Sequence, residues 1–301
     1  MNITVIGETN IDIRAIPGRS MSSGGCTPAH IGFHYGGVGR NIAYNLCLLG
    51  EQVRLMTVFG GDDFASRLME DCKSIGIDLS LSTQYEHKKS PIFFSINDEK
   101  GNMQSAMSDI ELNHRMDLSW IEGKMAEINR SDMVVANTLL NAEALAYLID
   151  NCSVPLYLDA VSPANALRLA EALENSKKRA IHALKCNLAE ARAITGYNNP
   201  VEAVKAMNSK GIEEVFLTLG EKGVVYGARS IALHFSSLPS QVINVIGSGD
   251  AFLAGIVFAH AHGFNGKEAL PFGLAAAKTS IECEEACNPE IKTLHSFPNK
   301  G

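Results

Sequence analysis

Val53-Arg-Leu-Met-Thr-Val-Phe59-Gly60-Gly61-Asp62-Asp63-Phe64-Ala-Ser-Arg-Leu68-Met-Glu-Asp-Cys72-Lys-Ser-Ile75-Gly76 changes its period once. Up to Phe59 the stretch is β-like, the pattern of a strand buried in a sheet. After the two glycines, Asp62-Asp63 offers a helix cap, Phe64, Leu68, Cys72 and Ile75 recur at helical spacing, and Gly76 is a stop. A strand feeding a capped helix is the unit of an α/β fold. The same alternation extends outward in both directions. Ile3–Gly7 reads as a strand, and Val38–Leu49 as a helix with Ile42, Leu46 and Leu49 on one face and Gly50 behind it. Met133–Ala136, Tyr157–Asp159 and Val215–Leu219 are short apolar strands among helical patterns such as Ala164–Leu173, and Ala251–His262 and Pro271–Ile281 read as closing helices. A mostly parallel sheet flanked by helices on both faces is predicted, in one α/β domain over residues 1–301.

Two stretches, about 11–35 and 91–108, carry strands with no helix between them. Ile92–Ile96, a turn at Asp98-Glu-Lys-Gly101 and Met103–Met107 predict a β-hairpin. A small antiparallel β-sheet intercalated with the main one follows. The pattern leaves open whether it is a lid, a dimer surface or an edge decoration without a role.

Composition narrows the partners. The 301 residues are 46% hydrophobic and 20% charged with net charge −7 and no block of Lys or Arg, which argues against nucleic acid or an anionic membrane surface. A phosphate ligand is still allowed, because a few backbone N–H groups can hold it. The seven cysteines form no C-x-x-C pair and predict reduced thiols in a cytoplasmic protein; Cys283 and Cys287, four apart, lack partners at zinc-site spacing. The opening Met1–Gly7 has no basic segment and predicts no signal peptide, and no apolar run approaches the ~20 residues of a membrane span.

The chemistry concentrates in Gly247-Ser248-Gly249-Asp250, ahead of the apolar run Ala251–His260. Two glycines let successive N–H groups face one point, and the positive end of the following helix adds to them, which makes an anion hole for a phosphoryl group in transfer. An Asp there can accept the proton of a substrate hydroxyl. The same four residues also suit a flexible turn in which Asp250 is only a cap, and the tetrapeptide alone leaves both readings open. There is no G-x-x-x-x-G-K-[ST], which excludes a P-loop NTPase. Gly37-Val-Gly39-Arg-Asn-Ile lacks the third glycine of the dinucleotide fingerprint, which argues against a nicotinamide-linked oxidoreductase.

Six motifs in order, Gly7-Glu-Thr-Asn10-Ile-Asp12, Gly36-Gly-Val-Gly-Arg-Asn-Ile-Ala43, Gly60-Gly-Asp-Asp63, Asn187-Leu-Ala-Glu190, Thr218-Leu-Gly-Glu-Lys-Gly223 and Gly247–Asp250, resemble the ribokinase, or PfkB, family of carbohydrate and nucleoside kinases over nearly the whole chain. The resemblance implies a ribokinase-like fold with a β-sheet lid, ATP as phosphoryl donor and Mg²⁺. It assigns Asp12 to the sugar hydroxyls with Asn10 beside it, Gly36 and Gly37 to close approach of the backbone, and Asn41 to the same ring. A polar residue on the solvated face of the helix is the other reading of Asn41. Asn187 and Glu190 are implied in Mg²⁺ and phosphate placement; an ordinary capping box explains the same spacing. Thr218, Gly220 and Gly223 would line the nucleotide phosphates, Gly247, Ser248 and Gly249 would form the anion hole, and Asp250 would be the base. Family members often dimerise through the lid, so a homodimer is expected.

There are departures. The family signature opens with Asp-Thr where this chain has Asn244-Val245, which puts a monovalent-cation site in doubt. Ser248 replaces a common Ala and is expected to add a donor near the phosphate. Within the family, Gly36–Ala43, Met103–Asp109 and Asp159–Ser162 are similar to the branch that phosphorylates pseudouridine on its 5′-hydroxyl. Ser108 or Asp109, and Asn137, are then candidate contacts to the base. Ribose or another ribonucleoside is the alternative substrate. A hexose phosphate would need more Arg or Lys near the sugar than Arg14, Arg19 and Arg40. A non-catalytic sensor fits less well, because Gly247, Gly249 and Asp250 all stand.

Overall fold

The computed structural model describes residues 1–21, 24–99, 102–178, 180–229 and 231–296. Six parallel strands form the centre of the main sheet: β12 (Ile212–Thr218), β11 (Ile181–Asn187), β10 (Leu156–Asp159), β9 (Met133–Asn137), β1 (Asn2–Ile6) and β4 (Gln52–Met56), in that spatial order. The antiparallel strands β13 (Val224–Ala228) and β14 (Ile231–Phe235) extend it to eight beyond β12. β5 (Val58–Phe59) and β6 (Thr83–Gln84) make a short parallel pair of their own.

The central strands are apolar on both sides because both faces are covered. In β9, Val134 and Ala136 enter one core and Val135 the other. The first core lies under α3 (Leu118–Glu122), α4 (Met125–Ile128), α5 (Ala142–Asn151), α6 (Pro163–Asn175), α7 (Leu188–Thr195) and α8 (Pro200–Ser209). The second lies under α1 (Val38–Leu48), α9 (Ser248–Ala261) and α10 (Leu270–Ile281), joined by Cys72 of α2 (Asp63–Ser74). α9 is apolar all round because α1, α10 and the sheet surround it, and every residue from Asp250 to His260 is buried. The expected caps are present: Asp62 accepts the Ala65 N–H at 2.9 Å, and Gly50 and Gly76 take φ of 80° and 96° behind their helices. α10 ends at Ile281, so Cys283 and Cys287 share no helix, and all seven cysteines are free thiols. Among the described residues no helix is long and apolar enough to cross a membrane.

The small sheet has the order β3 (Ala29–Gly36), β2 (Asn10–Pro17), β7 (Ile92–Asn97), β8 (Met103–Asp109). Its outer pairs are antiparallel, as expected, while the central β2–β7 pair is parallel. Two hairpins from separate insertions meet there through their first strands, which run the same way. Of the expected turn between β7 and β8, Lys100 and Gly101 lie outside the described residues. Register fixes what each face carries, since side chains paired across strands share a face. One face bears the row His34, Asp12, Phe93, Ser108; the other bears Tyr35, Ile11, Ile92, Asp109 and then Phe33, Ile13, Phe94, Met107. Ile11 packs with Phe59, Ala65 and Leu68.

Candidate active site

The carboxyl ends of the parallel strands bring the polar residues together. In register, Asn137 of β9 lies beside Asp159 of β10, Asp159 beside Lys185 of β11, and Asn187 beside Thr218 of β12. Ligands of open α/β sheets bind at this edge. α9 starts there as well, with Gly247 as its N-cap residue in the left-handed conformation, φ 78°. A side chain at Gly247 would also collide with the Ala286 carbonyl, so the turn admits only glycine.

Asp250 is therefore inside the first turn of α9 and is not its cap. Its carboxylate is buried and accepts a hydrogen bond from Asn41 Nδ2 at 2.9 Å. Burial, then repulsion from Asp159, push Asp250 far above the ordinary carboxylate range, to about 8, against the pull of Lys185 and Asn41. Such a group is a proton acceptor poised near neutral pH. Asn41 is equally far from the solvated position that sequence allowed. It is buried, and its Oδ1 accepts from Arg40 Nη1 at 3.2 Å. Arg40 is itself fixed by Asp71 at 2.7 Å and by the Tyr44 ring, 4.2 Å from its guanidinium carbon. Asn41 thus holds Asp250 from α1.

Three residues of this centre were not singled out in the sequence. Lys185 is buried, with Nζ 3.0 and 3.2 Å from the two Asp159 oxygens, and a Cβ at Gly249 would come within 2.5 Å of that Nζ. Its ammonium thus lies against the Gly247–Asp250 turn. Burial opposes its charge, but Asp159 above all, then Glu190 and Asp250, outweigh burial and hold it protonated. Glu8 is buried at the end of β1, where it accepts from the Val38 N–H at 3.1 Å and from Asn137 Nδ2. Burial raises its pKa as well. The signals were available: a lysine inside the apolar run of β11 and a carboxylate at each of two buried strand ends.

The remaining candidates divide. Asn10 donates to Asp12 Oδ1, and the Asp12 carboxylate lies so close to Gly36 that no side chain could stand there. These three and Gly37, the N-cap of α1, form one patch where β2 and β3 meet α1. Burial raises the pKa of Asp12, against the Asn10 hydrogen bond and the charges of His34, Arg14 and Arg40. Asn187 and Glu190 form the capping box of α7: Asn187 Oδ1 accepts the Glu190 N–H at 3.0 Å, and Glu190 Oε2 accepts the Asn187 N–H at 2.8 Å. Gly220 and Gly223, φ 61° and 93°, shape the turn after Thr218, whose hydroxyl donates to the Cys186 carbonyl at 3.3 Å. Ser248 Oγ donates back to the Val245 carbonyl at 2.8 Å, so the expected extra donor is spent within its own turn. The Asn137 amide is buried and committed to Glu8, and Asp109 falls on the face of the small sheet opposite Asp12. Neither is presented to a base bound over Asp12; Ser108 shares the Asp12 face.

Among the described residues, Asp159, Glu190 and Asp250 act here on one ammonium, Lys185, and the buried Glu8 adds its charge beside Asp159 and Asp250. This surplus of negative charge, offered by oxygen donors alone, fits a hard divalent cation such as Mg²⁺. Immediately ahead of Gly247, Val242, Ile243, Val245 and Ile246 are 44–65% exposed, an apolar surface beside the Gly247–Asp250 turn.

A scan against family models matches residues 1–293 to the pfkB family carbohydrate kinases. The chain belongs to this family, and with it to the ATP-using sugar and nucleoside kinases, phosphotransferases with an alcohol acceptor. It is 28% identical to the pseudouridine kinase of Escherichia coli (strain K12), over 96% of this chain and 93% of that protein. It is 26% identical to the ribokinase of Haemophilus influenzae, over 93% and 92% of the two chains. The structure of Arabidopsis thaliana ribokinase complexed with ribose and ATP superposes with a TM-score of 0.82 at 20% identity, covering 98% of this chain and 99% of that one, and agrees with it in fold.

Proposed function

We propose that this protein phosphorylates the 5′-hydroxyl of pseudouridine with Mg-ATP, in the cytoplasm. The observation that carries the kinase reading is the buried Asp250 carboxylate, held by Asn41 in the first turn of α9 beside the Gly247 turn and the Lys185 ammonium. Asp12 and Asn10 hold the ribose diol, Gly36 and Gly37 let the backbone approach it, and Asp250 takes the proton of the primary hydroxyl as its oxygen bonds to the γ-phosphorus and the bond from that phosphorus to ADP breaks. The N–H groups of the Gly247–Asp250 turn and Lys185 receive the charge on the transferred phosphoryl oxygens. Thr218, Gly220 and Gly223 line the nucleotide phosphates, and the apolar run Val242–Ile246 covers the adenine. Glu190, its carboxylate held by Asn187, would be the residue to hold Mg²⁺, which would supply charge neutralisation for the phosphates. The small sheet is the lid of a single domain, its Asp12 face turned to substrate and its Phe33–Met107 row turned to a second copy in a homodimer.

Support for pseudouridine over ribose is the pseudouridine kinase relative together with Ser108, which shares the Asp12 face and offers a hydroxyl to a base. A screen of ADP release over pseudouridine, uridine, adenosine, ribose and fructose 1-phosphate tests this. Turnover of pseudouridine alone is expected, and turnover of ribose alone would overturn the assignment.

A further inference from the structure

At the opposite end of α9, away from the transfer centre, three side chains from three elements converge. His182 opens β11, Glu214 stands near the start of the neighbouring β12, and His260 closes α9; one ligand-type atom from each lies within 4.8 Å of the others. In each case a neighbour occupies one polar atom and leaves another. His260 Nδ1 pairs with the Tyr157 hydroxyl at 2.8 Å, His182 Nδ1 with Glu213 Oε2 at 2.9 Å, and Glu214 Oε1 accepts from the Tyr226 hydroxyl at 3.0 Å. His260 Nε2 and Glu214 Oε2 are buried without a hydrogen-bond partner and lie 3.4 Å apart, too far for a good hydrogen bond.

We propose that His182, Glu214 and His260 bind one divalent transition-metal ion of the zinc class. Two imidazoles and one carboxylate, each oriented by an outer partner, form a common donor set for such an ion. The 3.4 Å between His260 Nε2 and Glu214 Oε2 already equals the ~3.3–3.4 Å edge of a tetrahedron with zinc–ligand bonds of about 2.0–2.1 Å. His182, with its side chain 28% exposed, has the freedom to close the remaining distance. A cavity of about 430 Å³ is lined by His182, Glu213, Glu214 and Arg229, so two of the three donors border it while His260 lies behind them. A plain His–Glu pair would close to hydrogen-bond distance, which these two buried and unpartnered atoms at 3.4 Å do not. Mg²⁺ at the transfer centre is a separate matter: the two centres lie about three turns apart on α9, roughly 15 Å at 1.5 Å per residue.

The test uses the full chain, stripped of metal and then titrated with Co²⁺ in the presence of excess Mg²⁺. One equivalent is expected to bind with visible ligand-field absorption and no strong thiolate charge-transfer band, and Zn²⁺ is expected to displace it. His182→Ala should weaken binding by more than the ~10–100-fold expected for loss of an outer partner, and Glu213→Gln should fall within that range, both with unchanged circular dichroism. Absence of stoichiometric binding, a thiolate band pointing to the cysteines, or full affinity in both variants would each overturn the proposal.

Discussion

At the scale of single residues, the centre is built at the expense of stability. Asp250 is protonated in the fold at pH values where it is ionised in the unfolded chain. It therefore contributes fully below about pH 4, and its contribution is lost as pH rises towards about 8. Asp250→Asn removes that cost while its amide oxygen can still accept from Asn41. Thermal melts should show a gain of about 1 kcal/mol or more above pH 8, roughly 2–4 °C, which vanishes near pH 4. The same variant should bind nucleoside by calorimetry with kcat down by about 10²–10⁴, and turnover of the parent should rise with pH through about 8. Lys185→Met leaves Asp159 buried and unpaired and should cost about 3–5 kcal/mol in denaturant melts. Adding Asp159→Asn should recover much of that stability but not the activity, a split that a purely structural ion pair would not produce.

At the scale of elements, the loop into α9 bears on the departure at Asn244-Val245. Asn244 Nδ2 donates to the Glu284 carbonyl at 2.7 Å while its Oδ1 accepts the Ile246 N–H at 3.1 Å. An amide donor thus meets a carbonyl that would otherwise be available to a cation. Replacing K⁺ by a bulky ammonium ion should change kcat less than about twofold, near the ~0.5 kcal/mol of an ordinary surface change. Asn244→Asp sets a carboxylate against that carbonyl and should introduce K⁺ dependence; unchanged rates in both assays would remove the argument. Elements were also the level at which sequence was most informative. Strand–helix alternation, the Asp62 cap and the stops at Gly50 and Gly76 are local, and local pattern reports them faithfully. The pairing of β2 with β7 is not local, since nothing in either strand records which neighbour it meets or in what direction. The site divides the same way. Motif spacing pointed to Gly247–Asp250 and Asp12, whereas Lys185, Asp159 and Glu8 come together only through the register of separate strands. Asp109 shows the converse: one step along β8 decides the face, and adjacency to Ser108 in sequence means opposition in space.

For the whole molecule, the question is what covers the second face of the small sheet. Phe33, Ile13, Phe94 and Met107 form one apolar row across all four strands, with Phe33 stacked on Phe64 of α2 at 6.2 Å. At the ends of that row Phe33 and Met107 are 61% and 64% exposed, and Ile31 beside Phe33 is 52% exposed. Apolar side chains in a continuous row on a sheet with two free edge strands form a surface that associates. A second copy is the occupant proposed here, because a self-complementary patch closes as a symmetric pair and then leaves no apolar row to propagate. Light scattering should give twice the chain mass over a wide concentration range. Phe33→Asp combined with Met107→Lys should return the mass of one chain, and the Asp12 patch, on the opposite face, should still bind nucleoside. A parent protein that stays monomeric throughout would show that this row is covered within the chain or tolerated in water, and the homodimer would have to be given up.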